Sequence, residues 1–106
     1  MPKYLFEIDY TAEGSEGLLK DGGTNRRKAL EKTMKSAGGK LESLYFTFGI
    51  RDAIAIVDLP DNATAAAVSL TVSASGALAF KTTALLTAAE IDSVAKKKVS
   101  YRAPGG

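Results

Sequence analysis

The stretch from Lys40 to Leu59 constrains the fold more than any other part of this chain. It reads KLESLYFTF, a short Gly-containing turn, then RDAIAIVDL. Tyr45, Phe46, Thr47, Ile54, Ile56 and Val57 are β-branched or aromatic, and Gly49 between them supplies the backbone freedom that a reversal needs. The most economical arrangement is an antiparallel hairpin. Pairing Phe48 with Arg51 sets Thr47 opposite Asp52 and Tyr45 opposite Ile54, because antiparallel partners keep a constant index sum. Alternation then divides the hairpin into two faces. Ser43, Tyr45, Thr47, Asp52, Ile54, Ile56 and Asp58 share one face, and Leu44, Phe46, Phe48, Ala53, Ala55 and Val57 share the other. The second face is drier and has small residues where a helix can approach. The first, flecked with polar groups, is the place to look for function.

The flanking segments supply what a hairpin needs to become a domain. Lys3 to Tyr10 alternates, with Tyr4, Phe6, Ile8 and Tyr10 on one side and Leu5, Glu7 and Asp9 on the other, which predicts a first strand. Thr11 to Gly17 reads as a polar connection, with helical character starting near Ser15 or Glu16. Leu19, Leu30, Thr33 and Ala37, flanked by Leu18, Ala29 and Met34, then recur at helical spacing. Gly22 and Gly23 interrupt that pattern. The expected result is a short helix or turn, then a main helix from Asn25 to Ala37, with Thr24 available as its N-cap and Gly38 and Gly39 closing it. After the hairpin, Pro60 stops the strand and Asp61 caps a helix over Ala63 to Ser75, which Gly76 ends. That helix is rich in threonine and serine and must rely on packing. Ala77 to Leu86 reads as a fourth strand. Thr87 and Glu90 form a T-x-x-E capping box ahead of Ile91, Val94 and Ala95. The order βαββαβ plus a terminal helix predicts an α+β domain: a ferredoxin-like plait with a four-stranded antiparallel sheet and helices on one side.

Composition narrows the chemistry. A length of 106 residues fits one domain over 1–106, and 45% hydrophobic with 25% charged residues describes a globular chain. The net charge of +2, from 14 basic and 12 acidic residues, does not imply a nucleic-acid partner. The sequence has no cysteine and no histidine, which removes disulfides, Cys and Ser-His nucleophile pairs, thiolate and imidazole metal sites, and the imidazole proton shuttle. No metal and no cofactor are expected. No apolar run approaches the roughly 20 residues of a membrane span, and the amino end is acidic where a signal peptide would stay apolar. A cytoplasmic location without membrane contact is the expectation. Lys96 to Gly106 reads as a solvated terminus. Asn25, Arg26, Arg27 and Lys28 at the start of the main helix read as a solvated face, since Gly22-Gly23-Thr24 lacks the lysine and spacing of a phosphate-binding loop.

Helices on one side leave the other side of the sheet bare. Tyr45, Ile54, Ile56 and Leu5 form an apolar patch there that a monomer would leave wet. A two-fold homodimer closed through the sheet faces, with polar residues around the enclosed space, follows as an expectation.

The chain also resembles the GYD domain family of small dimeric α+β barrel proteins, over Tyr4 to about Ile91. The markers are Thr11 to Gly14, an arginine at Arg26 or Arg27, Gly38 and Gly39, and Tyr45 two residues before Thr47. Gly49 and Asp52 in the turn, Pro60-Asp61, Gly76 and Thr82 complete the set. One position departs clearly: Arg51 stands where the family carries the tyrosine of its name. Asp58 replaces the expected glutamate ahead of Pro60-Asp61. The resemblance implies the plait and the dimer, and lends little to mechanism.

The candidate ligand-binding residues are therefore Tyr45, Thr47, Asp52, Ile54 and Ile56 from the hairpin, with Glu7 and either Lys81 or Thr82 from the outer strands. Lys81 and Thr82 cannot both point into the cavity. The resemblance favours Thr82, and the alternation of Ala79, Lys81 and Thr83 against Leu78 and Phe80 favours Lys81. Arg51 reads as a solvent-facing turn residue, the alternative being a grip on an anionic ligand or a pair with Asp58 of a neighbour. Asp52 reads equally as a turn acid that bonds nearby backbone N–H groups. The leading functional expectation is a homodimer that binds a small molecule. One alternative is a cofactor-independent monooxygenase or isomerase whose base is Glu7 or Asp52, and another is a structural assembly module without a ligand.

Overall fold

Burial alternates along the first strand, β1 (Lys3–Tyr10), turning Tyr4, Phe6 and Ile8 into the core and leaving Leu5 and Glu7 half-covered on the other side. The computed structural model describes all 106 residues. After β1 come α1 (Ala12–Ser36), β2 (Lys40–Phe46), β3 (Ala53–Asp58), α2 (Asn62–Ala74), β4 (Leu78–Leu85) and α3 (Ala88–Ala95). The strands form one antiparallel sheet in the order β2-β3-β1-β4. Leu30 and Met34 of α1 and Ala65 and Val68 of α2 join Tyr4, Phe6, Ile8, Ala53, Ala55, Val57, Leu59 and Leu78 in a single core cluster. Helices α1 and α2 therefore cover one side of the sheet, and the fold is the ferredoxin-like plait that the order of elements predicts.

Helix α1 differs from the sequence expectation at its start. Thr11 caps it directly, its hydroxyl accepting from the Gly14 N–H, so the supposed connection is already helical. Gly22 then adopts φ 79°, ψ 164°, a kink that joins two helical halves out of phase. Leu19 loses its place on the core stripe for that reason and is 87% exposed, while Leu30 and Met34 beyond the kink are buried. The far end closes as a full Schellman motif: Gly38 takes φ 81°, its N–H donates to Lys35 O, and the Gly39 N–H donates to Met34 O at 3.0 Å.

The hairpin pairs as its side-chain pattern predicts, with Tyr45 opposite Ile54, Leu44 opposite Ala55 and Ser43 opposite Ile56. The pairing shifts at Glu42, where a bulge brings Leu41 opposite Val57 and Lys40 opposite Asp58. Beyond Phe46 the strands separate into a loop. Phe48, assigned above to the dry face, projects from that loop and is 101% exposed, because alternation ceases to govern direction once the ladder ends.

The bulge has an electrostatic consequence. The Lys3 ammonium donates to Glu42 Oε1 at 2.7 Å and to buried Asp58 Oδ1 at 2.8 Å, and Lys40 Nζ stands 3.9 Å from Asp58 Oδ2, which accepts no hydrogen bond. The bond to Asp58 first, and that to Glu42 second, raise the Lys3 pKa above its ordinary 10.5. A raised lysine stabilises the fold below the unfolded-state value and loses that contribution as pH climbs through the folded value. The urea midpoint is therefore expected to fall above about pH 10.5. In Lys3→Arg, which stays charged, the fall over the same window is smaller, and equal alkaline slopes in the two proteins would refute the assignment.

Helix α3 stands apart. Its capping box is complete, with the Thr87 hydroxyl accepting from Glu90 N–H and the Glu90 carboxylate accepting from Thr87 N–H, yet none of its residues is buried. Every residue from 86 to 106 is exposed. The radius of gyration is 16.9 Å, against about 13 Å for a compact chain of this length.

Candidate functional site

The side of the sheet away from α1 and α2 carries a row that runs through all four strands. Tyr45 of β2 lies opposite Ile54 of β3, Ile54 opposite Glu7 of β1, and Glu7 opposite Lys81 of β4. Directly paired residues project to the same side, so these four side chains share the open face. The next row is Ser43, Ile56, Leu5 and Thr83. Ile54, Ile56 and Leu5 are half-buried without any helix above them, and Tyr45 at the sheet edge is 67% exposed.

Arg51 completes this face, where the sequence reading favoured solvent and did not foresee its partners. Its side chain folds back from the loop over β1 rather than pointing to solvent: Nε donates to Glu7 Oε2 at 3.1 Å and Nη1 to Asp9 Oδ2 at 3.1 Å. Only 22% of the side chain is exposed. The bond to Glu7, ahead of the attraction of Asp9 and Glu7, raises the guanidinium pKa further. The available signal was the alternation of β1, which sets Glu7 and Asp9 two residues apart on one face with no neighbouring cation in sequence. Lys81, next to Glu7, is exposed and forms no ion pair.

The other candidates do not join the row. Thr47 and Asp52 do face each other, with Thr47 N–H donating to Asp52 O at 2.8 Å. They lie past the last ladder pair, however, and line a cavity of about 430 Å³ beneath the first half of α1, together with Tyr10, Leu18, Gly23 and Phe46. Asp52 Oδ2 accepts from the Tyr10 N–H at 2.8 Å, and the Thr47 hydroxyl donates to the Arg51 carbonyl. Both side chains are thus holding the loop in place. Thr82 pairs with Phe6, whose ring is in the core, so it projects to the helix side, where its hydroxyl meets Ser69 of α2. The alternatives left open by the sequence resolve in favour of Lys81 as the residue on the open face. The stretch Asn25 to Lys28 shows no convergent anion site: Arg27 pairs with Glu31 at 3.0 Å, one turn along.

What the open face can do follows from its inventory. It offers an apolar floor of Leu5, Ile54 and Ile56, a phenol at Tyr45, a free ammonium at Lys81, and a guanidinium clasped between two carboxylates. No group of histidine, cysteine and acidic residues is placed to hold a metal ion, and no helix is long and apolar enough to cross a membrane.

A family model described as the GYD domain matches residues 4–95. The chain belongs to the GYD domain family. No curated protein and no solved structure matches it. The matched span of this GYD domain contains all of the sheet but Lys3, and all three helices, including α3. Its Arg51, standing where the resemblance expects a tyrosine, is the residue that ties the turn to Glu7 and Asp9.

Proposed function

We propose that this GYD domain pairs through its open sheet face as a two-fold homodimer and binds a small amphipathic molecule in the space between the sheets. The observation that carries the reading is the row Tyr45, Ile54, Glu7, Lys81 with Arg51 folded over it. Leu5, Ile54 and Ile56 favour being covered, each burial being worth roughly 1.5 to 3 kcal/mol before the cost of association. Lys81 and the Arg51 cluster oppose a dry seam, because an unpaired ammonium is costly to bury. An apolar face bordered by charges is satisfied by a partner that leaves room for a ligand. The ligand has an apolar body for the isoleucines and an anionic or carbonyl oxygen for Lys81.

This arrangement favours a binder over the two alternatives. Glu7 is bonded to Arg51 and Asp52 to the Tyr10 backbone, so both acids that an oxygenase or isomerase would use as base are committed to structural partners. A pure assembly module would leave Lys81 stranded.

Native mass spectrometry of freshly purified protein tests the reading. A dimer mass with a retained small molecule is expected, and a bare monomer at micromolar concentration overturns it. Once a ligand is in hand, Lys81→Ala is expected to weaken its binding about tenfold, as removal of one charge-assisted hydrogen bond does, with the urea midpoint unchanged. Unaltered affinity in that variant would place the ligand elsewhere.

A further inference from the structure

We infer that α3 is an exchange arm: in the dimer it packs its apolar stripe on the second copy of the chain instead of on its own body. The inference rests on the pairing just proposed and adds which segment crosses. Eight residues are too few to hold a helix in water, even with a complete capping box, so α3 requires a surface to lie on. Its own chain supplies none. Ile91 and Val94, three residues apart on one side of the helix, are 49% and 53% exposed, and Leu86 at its root is bare as well. The molecule extends 57 Å along its longest axis against 22 Å along its shortest, and residues 86–106 are all exposed.

A second copy is the occupant that answers every unmet demand at once. The open sheet face and the stripe on α3 are both apolar and uncovered, and only Leu86 and Thr87 separate them. Leu85, the last residue of β4, lies opposite Lys3 and projects with it to the open face, where it is half-buried. The arm therefore starts at the rim of the face that the dimer closes. When two copies meet there about a two-fold axis, each arm begins beside the partner, and the symmetry delivers two identical arm contacts. The arm carries Glu90 and Asp92 with Lys96, Lys97 and Lys98 just beyond, so charges of both signs flank the stripe and fix its direction along a partner.

The test mixes ¹³C-labelled and unlabelled full-length chains, refolds them together, and records isotope-filtered NOEs. The expected result is a set of NOEs from the Ile91 and Val94 methyl groups to protons of the unlabelled copy. A dimer in which those methyl groups contact only their own chain, or nothing, overturns the arm and leaves the paired sheets standing. A monomer by sedimentation overturns both. As an independent readout, the double variant Ile91→Asp with Val94→Asp is expected to raise the dimer dissociation constant by about tenfold or more while the amide spectrum of residues 3–85 keeps its dispersion. An unchanged dissociation constant counts against the arm.

Discussion

Gly14→Ala is expected to abolish most of the folded population, whereas Gly17→Ala, one turn along the same helix, leaves the protein as stable or slightly more so. A Cβ at Gly14 would stand 1.8 Å from the Ala77 carbonyl oxygen, 2.8 Å from its carbon and 3.1 Å from the Tyr10 ring. That carbonyl is itself the clasp between the start of α1 and the start of β4, accepting from both the Thr11 N–H and the Thr11 hydroxyl at 3.0 Å. Backbone on both sides leaves no flexible side chain to give way, so the helix has to move and the clasp is lost. The destabilisation is at least about 3 kcal/mol, the upper end of overpacking. At Gly17 nothing lies within 4 Å of the added carbon, and the gain in helix propensity is at most about 1 kcal/mol. Urea midpoints for the two variants decide the matter. Shifts of the same sign and size would mean that α1 does not sit this close to β4.

The second large effect belongs to Phe6. Its side chain is fully buried at the centre of the helix-covered face, with Ala55 and Thr82 on its flanking strands and the Phe80 ring centroid at 4.7 Å, tilted by 34°. Phe6→Ala removes the largest of the fully buried side chains and leaves a void that backbone on either side cannot close. A loss of about 3 to 5 kcal/mol is expected. Against the roughly 5 to 15 kcal/mol that a small domain possesses, this is enough to leave the variant partly unfolded. Calorimetry gives the size. The neighbouring Leu5→Ala provides the contrast, because Leu5 faces the uncovered side. Its effect is expected to grow with protein concentration, because the proposed dimer would stabilise the parent chain by mass action. A concentration-independent loss at Leu5 as large as that at Phe6 would contradict the division of the sheet into a covered and an open face.

Local chemistry made much of this legible in advance. The hairpin register from Ser43 to Phe46 followed from where β-branched and aromatic residues alternate with alanines, because a strand's side-chain period is two and only one phase places Ala53, Ala55 and Val57 beneath helices. The caps at Asp61 and Thr87 were legible too, since a short polar side chain three residues before a free N–H is a local geometric relation. Where the reading failed, the cause was a break in periodicity. Gly22 resets the phase of α1 and expels Leu19. The ladder ends at Phe46, so Thr47 and Asp52 leave the open face and Phe48 leaves the covered one. Arg51 was read as a solvent residue because its partners, Glu7 and Asp9, lie more than forty positions away in the chain.

The sequence by itself determined the order of elements, the caps of α2 and α3, the faces of β1 and of the paired part of the hairpin, and the absence of imidazole and thiol chemistry. Each of these depends on neighbours within a few residues or on composition alone. Only the tertiary structure decided that Lys81 rather than Thr82 occupies the open face, that Arg51 binds Glu7 and Asp9, and that α3 finds no surface on its own chain. Those outcomes turn on which distant strands lie side by side. Closing the chain in three dimensions sets that adjacency, and no pattern along it does.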